Sequence, residues 1–239
     1  MSPWPQRWFT PFLLGIVITL GLSGCASLKT ASSGDVVFNG PIQEIAPFHD
    51  GDYFVWQIEG SNLPSGIYVQ KISAGTQSGE YVATMSFSGT AVSRTIFRLD
   101  DSSVNKLRED APTIHGAFVY DTPVPFLWTP LRSSPRRFAT GMNVEGMGGP
   151  GSVSKGELEE VTWALAVPGS NPEQYEIHRA RTIRVGDKQS YSERVTKLQR
   201  GIGAIASEET VEGKPSGHTQ QICAMVAGKQ FGTCPEPLN

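Results

Sequence analysis

The chain has 239 residues, a formal net charge of −3, only 18% charged side chains, 26 glycines and 17 prolines. That length holds one sizeable domain or two small ones, and with no basic run or aromatic–basic interleaving it argues against a nucleic-acid partner. Many turn-formers and few charges suit short strands joined by tight turns better than a helical bundle.

The first element is a leader. Arg7 precedes an apolar run over residues 12–20, Gly21-Leu22-Ser23-Gly24 comes next, and Cys25 follows; no charge lies between Arg7 and Lys29. The dense apolar part is about a dozen residues, the size of a signal-peptide core and short of the roughly 20 that a stable span needs. Leu22-Ser23-Gly24-Cys25 resembles the lipobox of bacterial lipoprotein signal peptides. The resemblance implies that residues 1–24 are removed and that Cys25 carries the lipid, so the membrane is a partner through that anchor. Two or three acyl chains, at roughly 0.8 kcal/mol per buried methylene, hold such a protein on a bilayer. The structural alternative is an uncleaved anchor helix. Ala26 and Ser27 follow the cysteine without the Asp that retains such proteins at the inner membrane, so the expected address is the envelope, at the outer membrane facing the periplasm.

Residues 25–40 are small and polar and read as a flexible tether. Residues 41–213 read as a β-rich domain. Strand-like runs occur at 53–58, 66–72, 81–87 and 91–99, separated by Gly, Asn or Asp, and Tyr81, Ala83, Met85 and Phe87 fall on one face. Residues 101–110 predict a short helix capped by Asp101 or Ser102, with Val104 and Leu107 inward. A strand follows at 117–120. The proline-rich stretch 122–131 predicts an irregular crossing segment, because proline offers no amide donor. Further strands are expected at 160–167, 176–185, 191–199 and 202–206. The echo between residues 94–98 and 181–184 leaves open one β unit or two halves meeting near 112–131. The fold class expected is mainly β: an antiparallel sheet or half-barrel with one or two short helices and an N-terminal signal helix. Residues 214–239 read as a C-terminal tail holding Cys223 and Cys234. With Cys25 assigned to lipid, these two predict a disulfide closing a loop of about a dozen residues.

Three segments resemble a class of envelope lipoproteins with LolA/LolB-like antiparallel β domains: Pro125-Phe126-Leu127-Trp128-Thr129-Pro130-Leu131, residues 175–185 and residues 198–208. The resemblance implies an antiparallel β fold and carries over no catalytic residue.

Candidate chemistry is sparse. His49, Asp50 and Asp52 form the richest cluster, able in principle to hold a hard cation or move a proton. The same Asp-Gly-Asp sequence is ordinary turn chemistry just before a strand. Ser152 and Lys155 have the Ser-x-x-Lys spacing of penicillin-interacting enzymes but none of the companion motifs. Gly201 and Gly203 lack the third glycine and the helix of a dinucleotide fold and read as a turn. His115, His178 and His218 are scattered. Tyr53, Trp56, Tyr68, Phe87, Phe97, Phe126, Trp128 and Trp163 either line a hydrophobic ligand cavity or fill a sheet core, the core being the default reading. The function expected is a non-enzymatic binding or scaffolding module with no cofactor and no metal, partnered by an envelope protein or a hydrophobic ligand. The alternative is an envelope hydrolase or metal-dependent enzyme built on His49, Asp50 and Asp52.

Overall fold

The computed structural model describes residues 35–60, 63–112, 116–146, 149, 151–171 and 173–234. The leader, Cys25, most of the expected tether and His115 lie outside the described residues. Fifteen strands follow one another among the described residues. The first eight are β1 (Val36–Phe38), β2 (Tyr53–Glu59), β3 (Gly66–Ala74), β4 (Glu80–Phe87), β5 (Thr90–Leu99), β6 (Ser103–Ala111), β7 (Gly116–Trp128) and β8 (Leu131–Arg132). The rest are β9 (Arg136–Glu145), β10 (Val153–Ala166), β11 (Gln174–Val185), β12 (Lys188–Gln199), β13 (Gly203–Val211), β14 (Lys214–Val226) and β15 (Lys229–Gly232).

Every ladder is antiparallel, and each strand from β2 to β14 pairs with the next in sequence, β8 excepted. β14 closes the ring. One of its edges pairs with β13 through Lys214 to Gln220, while the other pairs with β2 from His218 to Met225. The result is a twelve-stranded up-and-down barrel, with β15 extending the β14 edge and β1 and β8 forming a separate two-stranded sheet. Closure removes the free edges that an open sheet must otherwise protect.

The period-two alternation decides what faces the lumen. Tyr81, Ala83, Met85 and Phe87 stand opposite Ala74, Ile72, Gln70 and Tyr68, and all of these belong to the inner face. The outer face is charged along mid-strand: Glu157 and Glu159 are 72% and 56% exposed, and Lys71, Arg94 and Glu193 point outward as well. A barrel wall in lipid needs an apolar girdle at these positions. This wall is built to face water.

One end of the barrel is stoppered by the segment before β2. A single 3-10 turn, Ile42–Glu44, buries Ile42 and Ile45 completely, and Phe38 packs on Tyr175 with ring centroids 5.3 Å apart. Gly201 ties the stopper to the β12–β13 turn by donating its amide to the Glu44 carbonyl at 2.6 Å. Its φ of +82° lets that turn form at no steric cost.

Four expectations are corrected. Where the sequence predicts a helix over 101–110, Ser103–Ala111 form strand β6: Val104 and Lys106 are buried while Leu107 is only partly so, the alternation of a sheet. The proline-rich stretch continues strand β7 through Pro123 and Pro125. Prolines fit there because the β6–β7 register shifts around them and the β7–β9 ladder covers only Ala117 to Tyr120, so no amide is demanded of them. Residues 214–226 are not tail but β14, which completes the ring. The mainly β, antiparallel class is as expected, its sheet closing into a full barrel, but 112–131 is no boundary between halves, because β6, β7 and β9 are consecutive staves. The expected disulfide is present: Cys223 and Cys234, with Cα atoms 5.0 Å apart, fasten the chain after β15 back onto β14.

Candidate functional site

The inner wall encloses a cavity of about 570 Å³, within the range of small-molecule sites. Its two sides differ. The side built by β2 to β5 is apolar and aromatic, presenting Phe54, Trp56, Ile72, Met85 and Phe97, and the stopper adds Phe48. The opposite side, from β6 and β11 to β14, presents Lys106, Glu109, Arg179, Arg181, Arg194 and Glu209. Ser192, Thr196, Ser207 and Thr219 lie between the charges. A row of rings connects the two sides, with centroids 5.3 Å apart from Phe126 to Phe97 and again from Phe97 to Phe48. The Arg179 guanidinium lies 4.7 Å over the Phe126 ring and donates to the Phe126 carbonyl.

The charges form a network. Glu160, 3% exposed, sits 2.9 Å from Arg179 Nε and 3.3 Å from Arg181 Nε. Lys106 Nζ donates to Glu109 at 2.8 Å, and the Tyr120 hydroxyl donates to the other Glu109 oxygen. Strand register makes this cluster: Glu160 stands opposite Arg181 across β10 and β11. A register shift between Lys106 and Arg108 turns both Lys106 and Glu109 inward on β6. Nearer the rim, Arg194 pairs with Glu209 at 2.9 Å and Arg108 pairs with Asp110 at 2.5 Å and Glu145 at 2.9 Å.

Burial and neighbouring charge pull these groups in definite directions. Burial, aided by the positive charge of Arg181, lowers the Lys106 ammonium to about 8 against the attraction of Glu109 and Glu160. Burial by itself would raise Glu109, but Lys106 and Arg181 outweigh it and hold the carboxyl below its ordinary range. Glu160 follows the same pattern, with Arg179, Arg181 and Lys106 overcoming burial. Burial and then the Glu109 charge raise the Tyr120 hydroxyl, which stays protonated as a donor.

The residues singled out in the sequence are dispersed. His49 and Asp52 do meet, Nδ1 to Oδ2 at 3.0 Å, but Asp52 is 2% exposed and its oxygens also accept from the His49 amide at 2.9 Å and the Ala227 amide at 2.8 Å. Asp50 points elsewhere, accepting from the Ala74 amide at 2.9 Å. The cluster is a structural turn that pins the β14–β15 hairpin to the start of β2. Among the described residues no three His, Cys, Asp or Glu side chains converge as metal ligands. Ser152 Oγ donates to the Gly149 carbonyl at 2.8 Å, Lys155 is exposed, and Gly201 and Gly203 form a turn. His178 stacks on Trp163 at 5.1 Å on the outer wall, and His218 is exposed.

Of the eight aromatics, Trp56, Phe97 and Phe126 line the cavity. Tyr68 and Phe87 stack at 4.8 Å within the packed wall, and Trp128 lies under Arg136. The set therefore divides between cavity lining and wall packing. Trp56 Nε1 is buried and makes no hydrogen bond among the described residues, so even the apolar side carries one donor. The residues that sequence reasoning missed are Lys106, Glu109, Glu160, Arg179 and Arg181. Charged residues in strands read as solvent-facing, and only the tertiary structure brings the β6 pair against the β10–β11 charges.

No protein-family model matches the chain, and no curated protein matches it. Among solved structures it is similar to the crystal structure of a Bacteroides fragilis protein described as exported, with a YMCC-like fold. The sequences are 10% identical, the TM-score is 0.46, and the match covers 77% of this chain and 97% of that one.

Proposed function

We propose that this protein is a lipid-anchored envelope protein, held through Cys25 at the periplasmic face of the outer membrane, whose barrel lumen binds a small hydrophobic or amphipathic molecule without catalysing its conversion. One observation carries the reading: a water-facing barrel stoppered at one end leaves a cavity of about 570 Å³ unfilled, with aromatic and aliphatic side chains along one side. A barrel whose only task is to present its outer surface gains stability from a filled lumen, because apolar side chains lining unfilled space forfeit packing contacts. Leaving the space open is therefore costly, and occupancy by an apolar molecule offsets the cost.

The test uses the mature protein with Cys25 replaced by serine and an environment-sensitive hydrophobic dye. Wild-type lumen should bind the dye at a single saturable site, and Thr95→Trp, which fills the cavity from β5, should abolish that binding while leaving the fold intact by circular dichroism. Dye binding unaffected by Thr95→Trp would overturn the reading. The anchor is tested separately by palmitate labelling of cells, which should mark the wild type and not the Cys25→Ser variant.

A further inference from the structure

Resting on that reading of the lumen, we infer that its ligand is an anionic amphiphile: an oxyanion headgroup, carboxylate or phosphate, seated on Arg181 beside Lys106 and Arg179, with an alkyl chain laid along Phe126, Phe97 and Phe48.

The first support is the charge count. The inner cluster holds three cations, Lys106, Arg179 and Arg181, against two carboxylates, Glu109 and Glu160. Glu160 serves both guanidiniums, while Glu109 is shared by Lys106 and Tyr120. The next charges outward contact one another, Arg194 with Glu209 and Arg108 with both Asp110 and Glu145. Within the cluster itself cations therefore outnumber carboxylates by one, so an incoming anion meets a group of net positive charge.

Donor capacity is the second. Arg181 lines the cavity and keeps 22% of its side chain accessible, and among the described residues its one hydrogen bond is from Nε to Glu160. Its two Nη groups remain as a planar fork, the geometry that grips a carboxylate or phosphate through parallel bonds. Arg179 is 9% exposed, and its Nε, though 2.9 Å from Glu160, makes no hydrogen bond among the described residues. Continuity is the third: the aromatic row starts at the ring Arg179 covers and runs to the apolar side, so a chain whose head sits at the guanidiniums has a continuous row of rings to lie along.

The lowered Lys106 ammonium is the protein's own partial answer to the excess charge. It is faced by Glu109 on β6, Tyr120 on β7, Glu160 on β10, and Arg179 and Arg181 on β11. An anion seated on Arg181 adds a negative charge to that group, so binding near pH 8 should take up a proton.

The experiment is calorimetric titration of the Cys25→Ser protein with dodecanoate, dodecyl phosphate, dodecanol, acetate and inorganic phosphate, at pH 8 in two buffers of different ionisation enthalpy. The expected result is that the dodecyl anions bind at least tenfold tighter than dodecanol, with proton uptake, and that acetate and phosphate bind at least a hundredfold more weakly. Arg181→Gln leaves two cations against two carboxylates and so should fold. It should cut anion affinity at least tenfold and leave dodecanol unchanged, and Arg181→Lys should restore only part of the loss. Equal affinity for dodecanol and the anions, or anion binding indifferent to Arg181→Gln, would overturn the headgroup assignment while leaving an apolar lumen. Free phosphate binding as tightly as dodecyl phosphate would overturn the amphiphile. Binding of none of the chains would overturn both this inference and the ligand-binding function.

Discussion

Glu160→Gln is the sharpest probe of the buried network. The substitution keeps the shape of the side chain and removes the charge that two guanidiniums share at 2.9 and 3.3 Å. Three cations would then face Glu109 alone. Breaking a buried ion pair leaves an uncompensated charge and costs about 3–5 kcal/mol, and with two partners stranded the upper half of that range applies, about 4–5 kcal/mol. In a domain of this size each kcal/mol lowers the melting temperature by about 2–4 °C, so the expected fall is on the order of 8–20 °C. Urea unfolding should show a lower midpoint at an unchanged slope. The internal control lies one residue earlier on the same strand, where Glu159 points outward and is 56% exposed. Glu159→Gln should change stability by less than about 0.5 kcal/mol. A loss below about 1 kcal/mol for Glu160→Gln, or equal losses for the two variants, would refute the claim that alternation puts Glu160 in a dry, charge-paired lumen.

Three further outcomes follow from the same structure. Lys106 holds its proton to about pH 8 when folded and to about pH 10.4 when unfolded. The unfolded chain therefore binds more protons between these values, and stability should rise with pH across that window and lose the rise in Lys106→Met, as followed by urea midpoints at pH 8.0 and 9.5; a slope that survives in Lys106→Met would place its origin elsewhere. Reducing the Cys223–Cys234 bond, or replacing both cysteines with alanine, should cost about 3 kcal/mol through the freed loop of about a dozen residues, read as a fall in melting temperature that the double variant no longer shows on adding reductant. Asp52→Ala should cost about 2–3 kcal/mol because it strands the Ala227 and His49 amides, and neither chelator nor added divalent metal should move the wild-type melting temperature; stabilisation by a metal that Asp52→Ala abolishes would revive a metal site there.

Stave β4 is readable from the chain because its lumen-facing aromatic and apolar residues recur at every second position. Tyr81, Ala83, Met85 and Phe87 fall on the lumen face as that period requires. β6 breaks the rule. Its inward positions include Lys106 and Glu109, and a bulge resets the phase between them, so the spacing of Val104 and Leu107 imitates a helix. β14 was hidden for a related reason: Lys214, Gln220 and Gln221 look like a polar tail when their partners, on β13 and β2, are not known.

The sequence by itself determined the β class, the antiparallel connectivity between neighbouring strands, the disulfide and the turn role of the His49–Asp52 segment, since each rests on local alternation, spacing or hydrogen bonding within a few residues. Closure of the ring and the charged cavity belong to the tertiary structure alone. β14 meets β2 across some 165 positions, and Arg179, Arg181 and Glu160, neighbours across β10 and β11, come against Lys106 and Glu109 of β6 only once the wall has curved round. Local pattern carries no information on which distant charge will neutralise another, because that is settled by the register and curvature of all twelve strands together.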